Sequence, residues 1–399
     1  MITYNGCVIT GASGAWVKYE LPPVPQYSLR FKFSDTSYVP TAGVTSRSGT
    51  WSEVDASRGI WDWTDTTSDW GPIYNEVPGS FWSSWPRLHL TEYSLGSGNT
   101  VEILQGNTSG VTNMSQLFDG REYEPSGSYE ESPSMLTSID LIDTSSVTNM
   151  SYMFFKCTEL VTIPPINTSS VYKMKSMFAY CTSLRTIPLL DTSSVRDMDD
   201  MFAICESLEE IPLLDTSSVT NMGGMFNGCS SLVTIPLLDT SSVTDMSSMF
   251  YVCTSLTSIP LLDTSSVTDT RQMFRECTNL TTLPNLDMSS VVLASIMCYE
   301  CTSLTSVGFT NTLSLQDAWG MFERCSSLQT VPLLNTSAIT DISFMFSDCY
   351  NVQSGALALY TQASTQATPP SSHLNTFKDC GRDTTTGAAE LAQIPSDWK

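Results

Sequence analysis

The chain has 399 residues, 41% of them apolar, with a formal charge of −23 and a pI near 4.2. Such acidity excludes nucleic acid and anionic membrane surfaces as expected partners. The start, MITYNGCVITGASG, lacks the basic and apolar regions of a secretory signal, and no run of about 18 apolar residues occurs, so membrane insertion is not expected. A soluble protein is expected, one that is mature, truncated or released outside the general secretion route.

Residues 1–100 read as an aromatic-rich, mostly-β domain or cap. QYSLRFKFSD alternates, with Tyr27, Leu29, Phe31 and Phe33 on one face and Ser28, Arg30, Lys32 and Ser34 on the other, the pattern of a half-buried strand. Trp16, Trp51, Trp61, Trp63, Trp70, Trp82 and Trp85 fall here, between Gly, Ser, Asp and Pro turn signals. Their indoles read first as the core of a small domain poor in Leu and Ile, and second as a platform for stacking sugars.

Residues 101–352 repeat. The stretch DTSSVTNMGGMFNGCSSLVTIP, Asp215 to Pro236, returns every 24 residues from Asp143 to Asn335. A first copy at Asn107 carries an insertion, DGREYEPSGSYE. A period of this size signals a solenoid, in which one unit cannot bury its own apolar face and stacks on the next. Val219, Met222, Met225-Phe226 and Cys229 are spaced three or four apart, which predicts one face of a short helix. Leu232 and Ile235-Pro236 predict an extended return, and DTSS a turn in which Ser218 or Thr220 caps the next helix. The expected fold is an α/β solenoid: a right-handed, leucine-rich-repeat-like stack of about ten strand–helix units. Residues 353–399 read as a C-terminal cap. SGALALYTQAS predicts a helix, TTGAAELAQIPSDWK another short helix and a terminal Trp398, and Phe377-x-x-Cys380 is a decayed echo of the repeat.

Several columns invite a chemical reading. Asp191, Asp215, Asp239, Asp263 and Asp287 would stack as a calcium track. Asn107, Asn167, Asn311 and Asn335 share that column, and Asn keeps the acceptor oxygen without the charge, so a turn or cap acceptor is the preferred reading and no metal is expected. The cysteine column from Cys157 to Cys349 holds one orientation, so neighbours cannot all pair, and a small buried residue accounts for it. Cys298-x-x-Cys301 mimics a zinc half-site, but Cys298 stands in the column of Phe274 and Phe322, and only His89 and His373 could add imidazole. With no G-x-S-x-G, P-loop or Rossmann fingerprint, neither a catalytic residue nor a cofactor is assigned. What varies is the outer face of the expected helix, where Tyr152, Phe155, Tyr180, Tyr251, Tyr299, Trp319 and Phe344 sit beside Arg271 and Arg275. Exposed aromatics on a regular scaffold suit a binding face. Drift at unconstrained positions is the alternative.

The unit LDTSSVTNMSxMFxxCxSLTxIP resembles the BspA-like bacterial surface protein repeats, a variant of the leucine-rich repeats, over residues 107–352. The resemblance implies a non-enzymatic recognition or adhesion module, of the kind displayed by gut and oral bacteria, mycoplasmas and some protists, and carried by phages of gut bacteria. Surface members usually carry a signal peptide and an anchor, and neither is expected in this chain. The segment RFKFSDTSYVPTAG…GTWSEV…IWDWTDTTSDW is similar to those that accompany such repeats in gut phage proteins. The expectation is therefore an extracellular phage virion protein (tail, fibre or receptor-binding) that contacts a host surface protein or glycan through the variable face. The alternatives are a virion decoration or assembly protein, docked to other virion proteins through its N-terminal domain, and a bacterial cell-surface adhesin. A homo-oligomer fits the virion readings.

Overall fold

The computed structural model describes residues 28–37, 39–40, 50–64, 99–120, 134–140 and 142–399, and the backbone of short strands at 3–4, 7–9, 16–17, 73–74, 84–85, 122–123 and 129–130. The side chains of Trp16, Tyr27, Trp70, Trp82, Trp85 and His89 lie outside the described residues. Strands β1 (Ser28–Phe33), β2 (Thr50–Asp55), β3 (Ile60–Thr64), β4 (Val101–Asn107) and β5 (Leu136–Ile139) form one sheet in the order β5-β4-β1-β3-β2. β4 pairs antiparallel with β1 and parallel with β5. That parallel step is where the sheet turns into a coil stack, because β4 runs into the first repeat and β5 is the equivalent stretch of the second.

β1 departs from the half-buried pattern. Leu29, Phe31 and Phe33 are buried as expected, but so are Ser28 and Arg30. Arg30 forks onto Asp62 of β3, with Nε to Oδ1 and Nη2 to Oδ2 both 2.7 Å. A bidentate partner of opposite charge is what lets a guanidinium sit away from water. Trp61 and Trp63 are buried in the same core, which bears out the core reading for these two indoles. The insertion in the first repeat closes an antiparallel pair, Tyr123 opposite Tyr129.

The helix expected in each repeat is not there: no α-helix occurs among the described residues before Ala356. In its place stand two successive four-residue turns. In one coil, Met225 and Cys229 donate their N–H groups back to the carbonyls of Met222 and Phe226, at 3.2 and 3.0 Å. The third residue of each turn, Gly224 and Gly228, has φ of +58° and +71°. A positive φ at that place is the mark of a type II turn. The remaining amides reach sideways, with Met222, Gly224, Phe226 and Gly228 donating to Asp245, Ser247, Met249 and Tyr251 of the next coil at 2.7–3.0 Å. Asn227 donates to Gly224 O at 2.9 Å, and Gly223 to Asn221 Oδ1 at 2.9 Å. Every N–H from Met222 to Cys229 therefore has an acceptor, as a buried backbone requires. The same positive φ recurs four residues apart in coil after coil, for instance at Tyr152 and Lys156, Ser248 and Val252, and Gln272 and Glu276.

Parallel bridges join the coils from Asn113 through Asn149, Lys173, Asp197, Asn221, Asp245, Asp269, Leu293, Asp317 and Asp341 to Ser372. The chain is a repeat solenoid. The extended return pairs more sparsely because Pro at the Pro236 column removes a ladder donor. In the later coils it becomes a strand pair between β6 (Thr282–Asp287) and β7 (Ser306–Thr310), where Gly308 takes the proline's place on β7. The core is a set of columns. Val219, Met222, Met225, Phe226, Cys229, Leu232, Ile235 and Leu238 are all buried, and so are their counterparts in the adjoining coils. The Phe column stacks face to face from Phe154 to Phe274, with centroids 5.4–5.8 Å apart and planes within 12°.

The C-terminal segment continues this order. The helices expected there are α1 (Ala356–Thr365) and α2 (Thr385–Gln393). The echo at Phe377 is a full rung, its ring stacked on Phe346 at 6.1 Å and 5°. In the column of Thr108, Thr144, Thr192, Thr216, Thr240 and Thr264 the hydroxyl donates to the next coil's backbone, as Thr216 does to Asp239 O at 2.8 Å. At the open end Thr336 donates instead to Gln366 Oε1 beside α1, at 2.7 Å, and Gln362 of α1 donates to Leu334 O. Side-chain amides thus replace the missing coil, which is what ends a solenoid.

Candidate recognition surface

Scaffold and surface separate cleanly by column. Asp215 Oδ1 accepts from Ser217 N and Oγ at 3.1 and 2.7 Å, and Asp191, Asp239, Asp263, Asn167 and Asn335 repeat this bond pair. The Ser bonds hold the Asp191, Asp239 and Asp263 carboxyls below the usual carboxylate range. Among the described residues no three His, Cys, Asp or Glu side chains gather to hold a metal. The cysteines from Cys157 to Cys380 are buried free thiols. Cys229 Sγ donates to Phe202 O in the preceding coil at 3.1 Å, and Cys181, Cys253 and Cys325 do likewise to Phe154, Phe226 and Cys298. Burial pushes these thiols well up, and Cys380 to about 12, so they stay protonated.

The variable residues sit on the turn pair rather than on helices. Tyr152, Tyr180 and Phe344 occupy positive-φ places, with φ of +58°, +64° and +60°. Phe155, Tyr251, Arg275 and Tyr299 share the column of Asn227, and Arg271 and Trp319 that of Gly223. The structure gathers them in three groups. Tyr152 meets Phe155 at 5.7 Å, Phe155 meets Tyr180 at 5.3 Å, and Lys156 lies 5.5 Å over the Tyr180 ring. In the second group Arg275 lies between Tyr251 and Tyr299, 5.1 Å from each centroid. Trp319 and Phe344 form the third, edge to face at 6.0 Å. Arg271 instead forks onto Asp269 of its own coil. Ala203, Asn227 and Gly228 separate the first group from the second, so the aromatics are clustered but not continuous.

Sequence reasoning missed Arg324. It stands 5.6 Å over Tyr299, donates to the Tyr299 hydroxyl at 2.8 Å, and pairs with Glu300. Its signal was present, since it is one coil on from Glu300 in the Gly228 column. Burial, helped by Glu300, pushes the Tyr299 phenol up and keeps it a donor. Tyr251, Arg275, Tyr299 and Arg324 thus make a ladder of alternating ring and guanidinium over four successive coils. Each cation–ring contact is worth about 0.5–1 kcal/mol at an exposed site. Such a ladder sets aromatic rings beside fixed guanidinium donors. No described helix is long and apolar enough to cross a membrane.

A family profile, described as Mycoplasma protein of unknown function, DUF285, matches residues 94–209, 124–233, 185–281, 205–310 and 258–358 in overlapping copies. The chain belongs to the DUF285 family. No curated protein matches it. Among solved structures, this DUF285 protein is similar to a leucine-rich repeat protein of T. pallidum, at 24% identity over 47% of this chain and 88% of that one, with a TM-score of 0.34. It is also similar to a leucine-rich repeat protein of Bacteroides ovatus, at 16% identity over 82% of this chain and 97% of that one, with a TM-score of 0.26. The solenoid assignment of this DUF285 chain stands on its own coil-to-coil hydrogen bonds.

Proposed function

We propose that this DUF285 protein is a non-enzymatic recognition module displayed outside a cell, carried on a phage virion and binding a host surface glycan or protein. The ladder Tyr251–Arg275–Tyr299–Arg324 carries the reading. A stacked core holds two rings and two guanidinium groups alternating over successive coils, so their ordering entropy is spent in folding and not in binding. Tyr and Arg are the residue types that dominate binding hot spots. The virion setting rests on the aromatic segment before the repeats and its likeness to phage proteins, with the N-terminal sheet as the part that docks to other virion proteins.

A glycan array paired with a panel of extracellular host proteins tests the binding reading. Reproducible binding to a defined glycan or protein is expected, and a blank result across both sets counts against it. Display on a bacterial cell is the second reading, favoured by the family's description as a Mycoplasma protein. Neighbouring genes separate the two: capsid and tail genes go with a virion, sortase or secretion genes with a cell-surface adhesin.

A further inference from the structure

The extended return carries a surface unrelated to the turn pair. After Pro236 the chain alternates, with Leu238 and Thr240 buried and Leu237 and Asp239 facing out. Stacking turns this into two rails. Leu189, Leu213, Leu237 and Leu261 are exposed by 68%, 62%, 62% and 60% in four successive coils. The aspartate two residues after each leucine is exposed as well. On one side both rails stop, at Pro165 and Asn167; on the other Asn285 replaces leucine while the aspartate column runs one coil further, to Asp287. Four large aliphatic side chains in one exposed row are more than the scattered apolar residues of an ordinary surface.

Two features select the occupant. A second copy of this chain would bring −23 against −23 and set aspartate rails close together, so charge disfavours it. A cationic partner gains from the same rail. Parallel bridges join the coils and set neighbouring backbones about 4.7–4.9 Å apart. An α-helix advances about 5.4 Å per turn, whereas alternate residues of a strand recur at about 6.6–6.8 Å. Over the three steps between the four leucines a helix falls out of step by about 2 Å and a strand by about 5–6 Å, so only the helix keeps one apolar residue near each leucine. We propose that the paired rails dock an amphipathic helix of a partner protein, its apolar stripe on the leucines and Lys or Arg flanking it toward the aspartates.

The test uses the full chain and a fluorescein-labelled 16-residue Leu/Lys amphipathic peptide, with fluorescence anisotropy as the readout. Two further peptides are a Leu/Glu version and a Leu/Lys version interrupted by proline. One variant carries Leu213→Ser and Leu237→Ser; the other carries Asp215→Asn and Asp239→Asn, which keeps the Ser-bonded oxygen as Asn167 and Asn335 do. Thermal melting confirms that both variants fold. Expected are binding of the helical Leu/Lys peptide alone, a loss of tenfold or more in the Leu variant, and a severalfold loss in the Asn variant that disappears in high salt. Equal binding of the Leu/Glu or proline peptide overturns the proposal, and so does wild-type affinity in the Leu variant. Sedimentation showing self-association through these leucines would overturn it in favour of a second copy.

Discussion

Gly228→Ala separates a turn-built coil from a helix-built one by the sign of its effect. In a helix interior, Ala is better than Gly by about 1 kcal/mol. At Gly228 the φ is +71°, and an L side chain there costs about 1–2 kcal/mol. A Cβ built on Gly228 would lie 2.6 Å from Ile204 Cδ1 and 3.3 Å from Ile204 Cα. The methyl can swing aside; the Cα cannot. Reduced freedom of the unfolded chain returns about 0.4–1 kcal/mol. The expected outcome is a net loss of about 1 kcal/mol, against a gain of about 1 kcal/mol for a helix. Urea unfolding followed by far-UV circular dichroism reads the difference as a midpoint shift at constant slope. Gly223→Ala is the internal control, since Ser247, Arg271 and Trp319 fill its column and the change should move the midpoint little. A midpoint raised by Gly228→Ala would refute the turn architecture.

Three further outcomes follow from the columns. Because Ser bonds depress the Asp191, Asp239 and Asp263 carboxyls, their contribution to stability is present above the ordinary value of 3.8 and is lost as pH falls through the depressed folded values. The triple Asn variant should therefore lose less melting temperature than wild type below about pH 4, and parallel curves would contradict this. Asp200 is the opposite case: burial first, then Asp199, raises it, so its contribution is present when protonated and is lost as pH rises through the folded value. Asp200→Asn should raise the melting temperature at pH 7 and leave it unchanged at pH 3, and a variant less stable at pH 7 would count against it. Maleimide labelling with peptide mapping at neutral pH should leave Cys181, Cys229 and Cys325 unmodified until urea unfolds the chain. Modification of any of them in native protein within minutes would show that the coils open.

The 24-residue period, the inward columns, the Asp/Asn acceptors and both C-terminal helices were legible because each rests on a local pattern. The coil's conformation was not. Val219, Met222, Met225 and Cys229 have a spacing that a 3.6-residue helix and a chain of four-residue turns share. Glycine would have betrayed the turns, but the positive-φ positions hold Tyr180, Ile204, Val252 and Glu276 as well as Gly228. Stacking against two neighbours imposes a backbone that local preference opposes, and no single repeat records it. The aromatic face was half legible for the same reason. Variability marked Tyr251, Arg275 and Tyr299, but only the register between coils places one guanidinium between two rings and adds Arg324. The leucine rail had a faint signal. The Leu238 column holds Ile or Leu at Ile166, Leu190, Leu214, Leu262, Leu286 and Leu334 and departs only at Thr310, while the Leu237 column admits Pro165, Asn285 and Phe309.

A binding comparison between wild type and a Tyr251→Ala, Arg275→Ala, Tyr299→Ala variant bears most directly on the recognition face. The ligand is the glycan or protein that the array identifies, and both proteins are melted alongside. A loss of tenfold or more in affinity at an unchanged melting midpoint is the predicted result. Wild-type affinity in the folded variant would contradict it.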